Sequence, residues 1–112
     1  MESTRQKKIG RLLQKELGEI FQREGSVMFS GVLITVTHVR VTPDLSSAKV
    51  YLSLFLHKDK ESFLKTIREK TTLVRMKLAE KIKKQVRVIP KLDFFLDDSL
   101  DYAEKIDELL KK

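Results

Sequence analysis

Lysine and arginine are the residues of this chain whose number and spacing suggest a chemical role. Between Lys58 and Lys91 there are twelve Lys or Arg residues against four Asp or Glu, a local net charge of +8 in a chain of net charge +7. Such side chains bind a phosphate backbone chiefly by releasing the cations condensed on it, which needs no particular base sequence. The segment therefore predicts a basic surface and a polyanionic partner.

These cations flank a helical apolar stripe that runs from Phe63 to Ile82. A run of charges is usually a solvated helix face, but so large an excess favours a nucleic acid. A lipid surface is a weaker alternative, because the apolar stripe is needed to pack on a sheet. The predicted phosphate contacts are Lys70, Arg75, Lys77, Lys81, Lys84 and Arg87, with a secondary patch of Arg5, Lys8 and Arg11.

Catalytic chemistry is not indicated by the remaining residue types. The chain has no cysteine, and its two histidines, His38 and His57, lie in no recognisable nucleophile or metal spacing. The neighbouring Asp97 and Asp98 have no loop of oxygen ligands around them, and no glycine-rich phosphate loop is present. We therefore predict a binding protein without a metal, a cofactor or a small-molecule substrate.

Length and composition fit one small domain, residues 1–112. An apolar content of 41% is enough for one core. The polar residues Met1 to Lys8 do not resemble a signal peptide, and no apolar run approaches the roughly 20 residues of a membrane span. Together with the lack of cysteine, these features predict a cytoplasmic protein, and nothing in the sequence demands a dimer.

The elements that would position these cations begin with an amphipathic helix. Ser3 or Thr4 can cap it, its apolar residues recur three or four apart, and we expect it to end before Gly25. Residues 32–41 and 48–56 then read as two strands. The residues between them, beginning Thr42-Pro43-Asp44, have turn chemistry, so a hairpin is predicted. Its first strand changes face near His38, which indicates a bulge or a strong twist.

The second half of the chain reads as helix, strand and helix. Residues 59–85 form one long helix or two in sequence, and adjacent Thr71 and Thr72 suggest a bend near residues 70–73. A strand follows Pro90, and Ser99 can cap a final helix at about 99–111. We therefore predict an α+β fold of order α-β-β-α-α-β, with a three-stranded sheet, helices packed on one face and an additional C-terminal helix.

Two further features have alternative interpretations. Tyr51, Phe55 and Phe95 fall on the sheet face opposite the helices, where rings can stack RNA bases or pack across strands, and we favour packing. The acidic residues from Asp93 to Glu108 can favour the N-terminus of the last helix or bind a basic protein tail, and we favour the helix.

Residues 41–53, Val-Thr-Pro-Asp-Leu-Ser-Ser-Ala-Lys-Val-Tyr-Leu-Ser, resemble the hairpin signature of ribosome-binding factor A, a family of bacterial small-subunit assembly factors. Weaker similarities lie at residues 14–17, 74–79 and 90–110, so the resemblance spans nearly the whole chain. It implies a variant of the type II KH fold. It also implies a partner, the small ribosomal subunit or its precursor, and roles in maturation of small-subunit rRNA and in cold adaptation.

The chain departs from the KH pattern at the junction of its central helices. An ordinary KH domain holds the nucleic-acid backbone with a Gly-x-x-Gly loop, but this chain has no glycine after Gly31. The family resemblance implies a helix kink in place of that loop, at Lys70, Thr71 and Thr72. The alternatives are a free-standing KH-like protein that binds single-stranded RNA and an adaptor that binds proteins through the sheet or the acidic end.

Overall fold

The computed structural model describes residues 2–28, 33–54 and 59–97. Its elements follow the predicted order α-β-β-α-α-β. They are α1 (Thr4–Met28), β1 (Ile34–Val41), β2 (Ser47–Leu54), α2 (Lys60–Glu69), α3 (Thr71–Ile82) and β3 (Lys91–Leu96). The sheet order is β1-β2-β3, antiparallel between the first pair and parallel between the second. The predicted final helix at 99–111, His57 and Phe55 lie outside the described residues.

The first helix begins with a reciprocal cap. The backbone amide of Gln6 donates to Ser3 Oγ at 3.1 Å, and the Ser3 amide donates to Gln6 Oε1 at 2.7 Å, which satisfies two donors at the helix start. The prediction that α1 ends before Gly25 is wrong, since α1 continues to Met28. A glycine inside a helix costs only about 1 kcal/mol relative to alanine, and Gly25 is buried, so packing outweighs that cost.

A β-bulge lets both halves of β1 face the core. Val36 pairs with Leu52 and His38 pairs with Tyr51, so the intervening Thr37 has no register partner on β2. The irregularity predicted near His38 is thereby confirmed. Because the bulge adds one residue, the apolar residues on either side of it share a face. Those buried on this face of β1 are Ile34, Val36, Val39 and Val41.

The hairpin turn is held by the side chain of Asp44. Its Oδ1 accepts hydrogen bonds from Thr42 Oγ1 at 2.7 Å, from the Ser46 amide at 3.1 Å and from Ser46 Oγ at 2.8 Å. The bonds from Thr42 and Ser46 hold the pKa of Asp44 below its usual value. Leu45 has a φ of 62°, an uncommon conformation for a residue with a branched side chain, and it packs against the core.

The central helical segment is divided at Lys70. Asp59 caps α2 by accepting from the Ser62 amide, and Lys70 ends that helix with φ −98° and ψ 12°. This conformation is open to any residue, so the break needs no glycine. The segment is therefore two helices. Leu73 and Met76, which fall off the apolar stripe, are 42% and 59% exposed.

All three helices lie on one face of the sheet. The buried face of α1 packs on β1, α2 packs on β3, and α1 contacts α3. Phe21 of α1 meets Phe94 of β3 edge-on, with ring centroids 6.0 Å apart. Gly10 allows the close approach of α1, because a Cβ at this position would lie 3.1 Å from the Val39 carbonyl oxygen. The opposite face of the sheet carries none of the described helices.

Candidate nucleic-acid interface

Two of the predicted phosphate contacts lie in the contact between α1 and α3. Lys77 Nζ is 3.4 Å from Glu24 Oε1, and Lys81 Nζ is 3.6 Å from a Glu16 oxygen and 3.4 Å from a Glu19 oxygen. These five residues are called the paired seam below. It contains two lysines and three glutamates, so α1 more than neutralises the lysine charge there. A polyanion would meet these carboxylates as well as the lysines there.

Arg75 makes internal bonds. Its Nε donates to the Pro90 carbonyl oxygen at 3.0 Å, and its Nη2 donates to the Ile89 carbonyl oxygen. The fork of the guanidinium thus fastens the loop before β3 to α3, as only a planar group with several donors can. Arg68 of α2 fastens β3 in a similar way, because its Nε and Nη2 donate to the Phe94 carbonyl oxygen at 3.1 and 2.7 Å. The positions of both arginines are set by the fold.

Lys70 lies at the junction of α2 and α3. Its backbone amide donates to the Ile67 carbonyl oxygen, and its own carbonyl oxygen accepts from the Val74 amide, each at 3.0 Å. Thr71 Oγ1 donates to the Arg68 carbonyl oxygen at 2.7 Å, and Thr72 is exposed. The side chain of Lys70 is half-buried.

Lys84 and Arg87 lie in the loop between α3 and β3. Both side chains are exposed, and neither forms an ion pair with a described residue. The loop itself is anchored, because Val86 and Ile89 pack against the core and the amides of Gln85 and Val86 both donate to the Ile82 carbonyl oxygen. Such a loop presents its cations from a fixed backbone.

The first half of α1 carries the other exposed cations. Arg5, Lys8 and Arg11 are three residues apart, so they follow one another along the helix surface. All three are exposed and unpaired within the described part of the chain. Arg11 also borders a groove of about 810 Å³ between α1 and β1.

The fold brings the start of α1 and the end of the α3–β3 loop to the same end of the molecule. The Gln6 side-chain amide donates to the Val41 carbonyl oxygen at 2.8 Å, and the Lys91 amide donates to the Ser46 carbonyl oxygen at 2.9 Å. The start of α1, the hairpin turn and the start of β3 therefore meet there. The α3–β3 loop runs from the level of Glu16, beside Lys81, toward this end.

Five exposed cations thus lie in the first half of α1 and in the loop that leads to this end of the fold. This set, called the basic end below, comprises Arg5, Lys8, Arg11, Lys84 and Arg87. Sequence reasoning identified all five but placed Arg5, Lys8 and Arg11 in a separate, secondary patch. It missed the acidic partners of Lys77 and Lys81, although the glutamates at helical spacing in α1 were the available signal.

A metal site and a membrane-spanning helix each have requirements that the described residues do not meet. No group of three or more His, Asp or Glu side chains among residues 2–28, 33–54 and 59–97 is arranged to hold a metal ion. In the same part of the chain, no helix has both the length and the apolar character to cross a bilayer.

Proteins of one family match this chain over nearly its whole length. A family model described as ribosome-binding factor A matches residues 5–110. The ribosome-binding factor A of Cytophaga hutchinsonii is 50% identical over 112 residues, covering 100% of this chain and 84% of the relative. That of Flavobacterium johnsoniae is 48% identical over 113 residues, covering 98% and 85%.

Two structures of the Thermus thermophilus factor, one a crystal structure and one a fitted homology model, share the fold. The crystal structure of the ribosome-binding factor A of this organism has a TM-score of 0.67 at 24% identity and covers 81% of this chain and 94% of its own. A homology model of the Thermus factor, fitted into a cryo-EM map of its complex with the 30S subunit, has a TM-score of 0.62 at 27% identity and covers 78% and 89%.

Proposed function

Because the chain belongs to the ribosome-binding factor A family, we propose that it binds the small ribosomal subunit or its precursor and assists maturation of small-subunit rRNA. It acts by binding and makes no covalent change. The Thermus relative fitted into a map of a 30S complex supports the choice of partner. The basic end is the observation on this chain that supports rRNA as the surface contacted.

The basic end is suited to folded RNA in a particle. Its five cations project from a helix and from an anchored loop, so their spacing is fixed before binding. Contacts to phosphate position a protein without reading sequence. Selectivity for one subunit would then come from the shape of the rRNA and from neighbouring ribosomal proteins.

The protein works in the cytoplasm as a monomer with one binding domain, takes part in rRNA processing and supports growth in the cold. It uses no metal or cofactor. The junction at Lys70, Thr71 and Thr72 takes the place of the glycine loop of other KH domains as a bend between two helices, while the phosphate contacts move to the basic end.

Co-sedimentation tests this function. The protein is mixed separately with small subunits, large subunits and free rRNA over a range of salt concentrations. We expect capture by small subunits, with an affinity that falls as salt rises because counterions are released on binding. Equal binding to any RNA would instead support a general RNA-binding protein. Binding that does not change with salt would contradict the phosphate contacts and support a protein-interaction adaptor.

A further inference from the structure

The sheet face opposite the helices carries three rings in one row. His38, Tyr51 and Phe95 are register partners on β1, β2 and β3. The centroids of His38 and Tyr51 are 6.0 Å apart with planes 32° apart, and those of Tyr51 and Phe95 are 5.7 Å apart with planes 30° apart. For Tyr51 and Phe95, the packing across strands that the sequence favours is thereby confirmed. The rings also form one continuous surface three strands wide.

These rings still present area to a ligand. The separations exceed a face-to-face contact, so the rings are displaced sideways and each leaves part of a face uncovered by its neighbour. His38 is exposed at the edge strand, while Tyr51 and Phe95 are half-buried. At the other edge, the Arg68 guanidinium carbon lies 5.7 Å from the Phe95 centroid and is held by its two bonds to Phe94.

A charged row lies next to the rings. Arg40, Lys49 and Asp93 are register partners one row nearer the hairpin turn, and all three are exposed. Like charges directly opposite on paired strands destabilise a sheet, and Arg40 faces Lys49. The carboxylate of Asp93 lies on β3, so within this row β1 and β2 contribute only cations. Asp97 borders the pocket that His38, Arg40 and Tyr51 also line. An anion bound between Arg40 and Lys49 would relieve the repulsion.

We propose that this face binds unpaired RNA, with bases against His38 and Tyr51 and phosphates on Arg40 and Lys49. Residues two apart on a strand lie about 7 Å apart, so the row of cations runs beside the row of rings. The phosphates and the bases of a single RNA strand lie side by side in the same way. A duplex hides its base faces, so it could use the cations but not the rings. An acidic peptide would bind the cations but would gain nothing from a row of aromatic rings beside them.

The proposal deepens the proposed function and rests on it. The basic end holds structured rRNA by its phosphates, while the aromatic row takes a segment that is not yet paired, which is the kind of RNA present while a subunit is maturing. The two surfaces therefore differ in the ligand they distinguish. One responds to phosphate density, and the other to the presence of accessible bases.

Fluorescence anisotropy with the full chain tests this inference. The probes are a labelled uridine decamer and a labelled ten-base-pair RNA duplex at the same salt concentration. The double variant His38→Leu/Tyr51→Leu keeps apolar volume but removes the two rings proposed to contact bases, and Tyr51→Phe is the matched control. Since stacking on an aromatic side chain strengthens binding of each base, we expect the double variant to bind the decamer about tenfold more weakly. Duplex binding should stay within about twofold of that of the unchanged chain, as should both affinities of Tyr51→Phe.

Loss of decamer and duplex binding in equal measure, or no change in either, would overturn the proposal. Amide chemical shifts provide a second measurement that needs no variant. The decamer should shift His38, Arg40, Lys49 and Tyr51, and shifts confined to the basic end would contradict the assignment. Binding of an acidic peptide that the decamer cannot displace from this face would contradict it as well. Neither assay contains ribosomal subunits. A negative result in either one would therefore leave the co-sedimentation result, and with it the proposed function, unchanged.

Discussion

The basic end and the paired seam both contain lysines, but the charges that surround these lysines differ. Lys84 is exposed at the basic end without an acidic partner among the described residues, whereas Lys81, only three positions earlier, lies within 4 Å of two glutamates. The difference comes from α1, whose second half presents carboxylates toward α3 and whose first half carries exposed cations. A local charge count therefore overestimates the binding surface, because it omits acids supplied by a distant segment.

Charge reversal at the basic end should give the largest effect on subunit binding. We expect Lys8→Glu/Arg87→Glu to weaken binding to small subunits about a hundredfold at roughly 0.15 M salt, because two phosphate contacts are lost and replaced by repulsion. Titrations at several salt concentrations measure this, and the slope of log affinity against log salt should become shallower by about two.

The matched control for that variant is Arg23→Glu/Lys65→Glu. It also reverses one lysine and one arginine, both exposed, but at positions away from the hairpin turn. Its affinity should change by less than about fivefold, since only the long-range field of the protein is altered. Equal losses in the two variants would show that total charge, rather than the basic end, determines binding.

A second pair of variants compares the basic end with the paired seam directly. Lys84→Gln/Arg87→Gln and Lys77→Gln/Lys81→Gln each remove two cations. The first should weaken subunit binding about twentyfold, because each phosphate contact contributes to counterion release. The second should weaken it less than about threefold, because α1 already neutralises these lysines. A twentyfold loss in the seam variant would mean that Lys77 and Lys81 leave their glutamates to bind RNA.

Arg75 distinguishes a structural cation from a binding one. We expect Arg75→Ala to lower the free energy of unfolding by about 1.5 kcal/mol, since the Ile89 and Pro90 carbonyl groups lose their donors. Arg75→Lys should recover little of this, because one ammonium cannot reproduce the fork. Urea denaturation measures both, with the exposed Arg87→Ala as a control that should change stability by less than about 0.5 kcal/mol. A stable Arg75→Ala variant that binds subunits poorly would contradict this assignment.

The features that sequence reasoning identified depend on neighbours along the chain. The Ser3 cap, the two strands of the hairpin, the change of face near His38 and the break near residues 70–73 each follow from residues within a few positions. The features it missed depend on distant partners. Lys81 lies 62 positions from Glu19, and Arg75 bonds to a loop whose path only the folded sheet fixes. Helix spacing places a side chain on a face but does not tell what lies opposite that face.

The smallest expected effect concerns the seam itself. Lys81 is 25% exposed and Glu16 is 14% exposed, so their attraction is only partly screened by water. A double-mutant cycle of Lys81→Gln and Glu16→Gln should give a coupling free energy of about 0.5 kcal/mol at low salt, measured by urea denaturation. That coupling should shrink toward zero in about 1 M salt, where charges are screened over a few ångströms. If the coupling were zero at low salt as well, the carboxylates of α1 would not hold Lys81, and its lack of contribution to subunit binding would need a cause other than pairing.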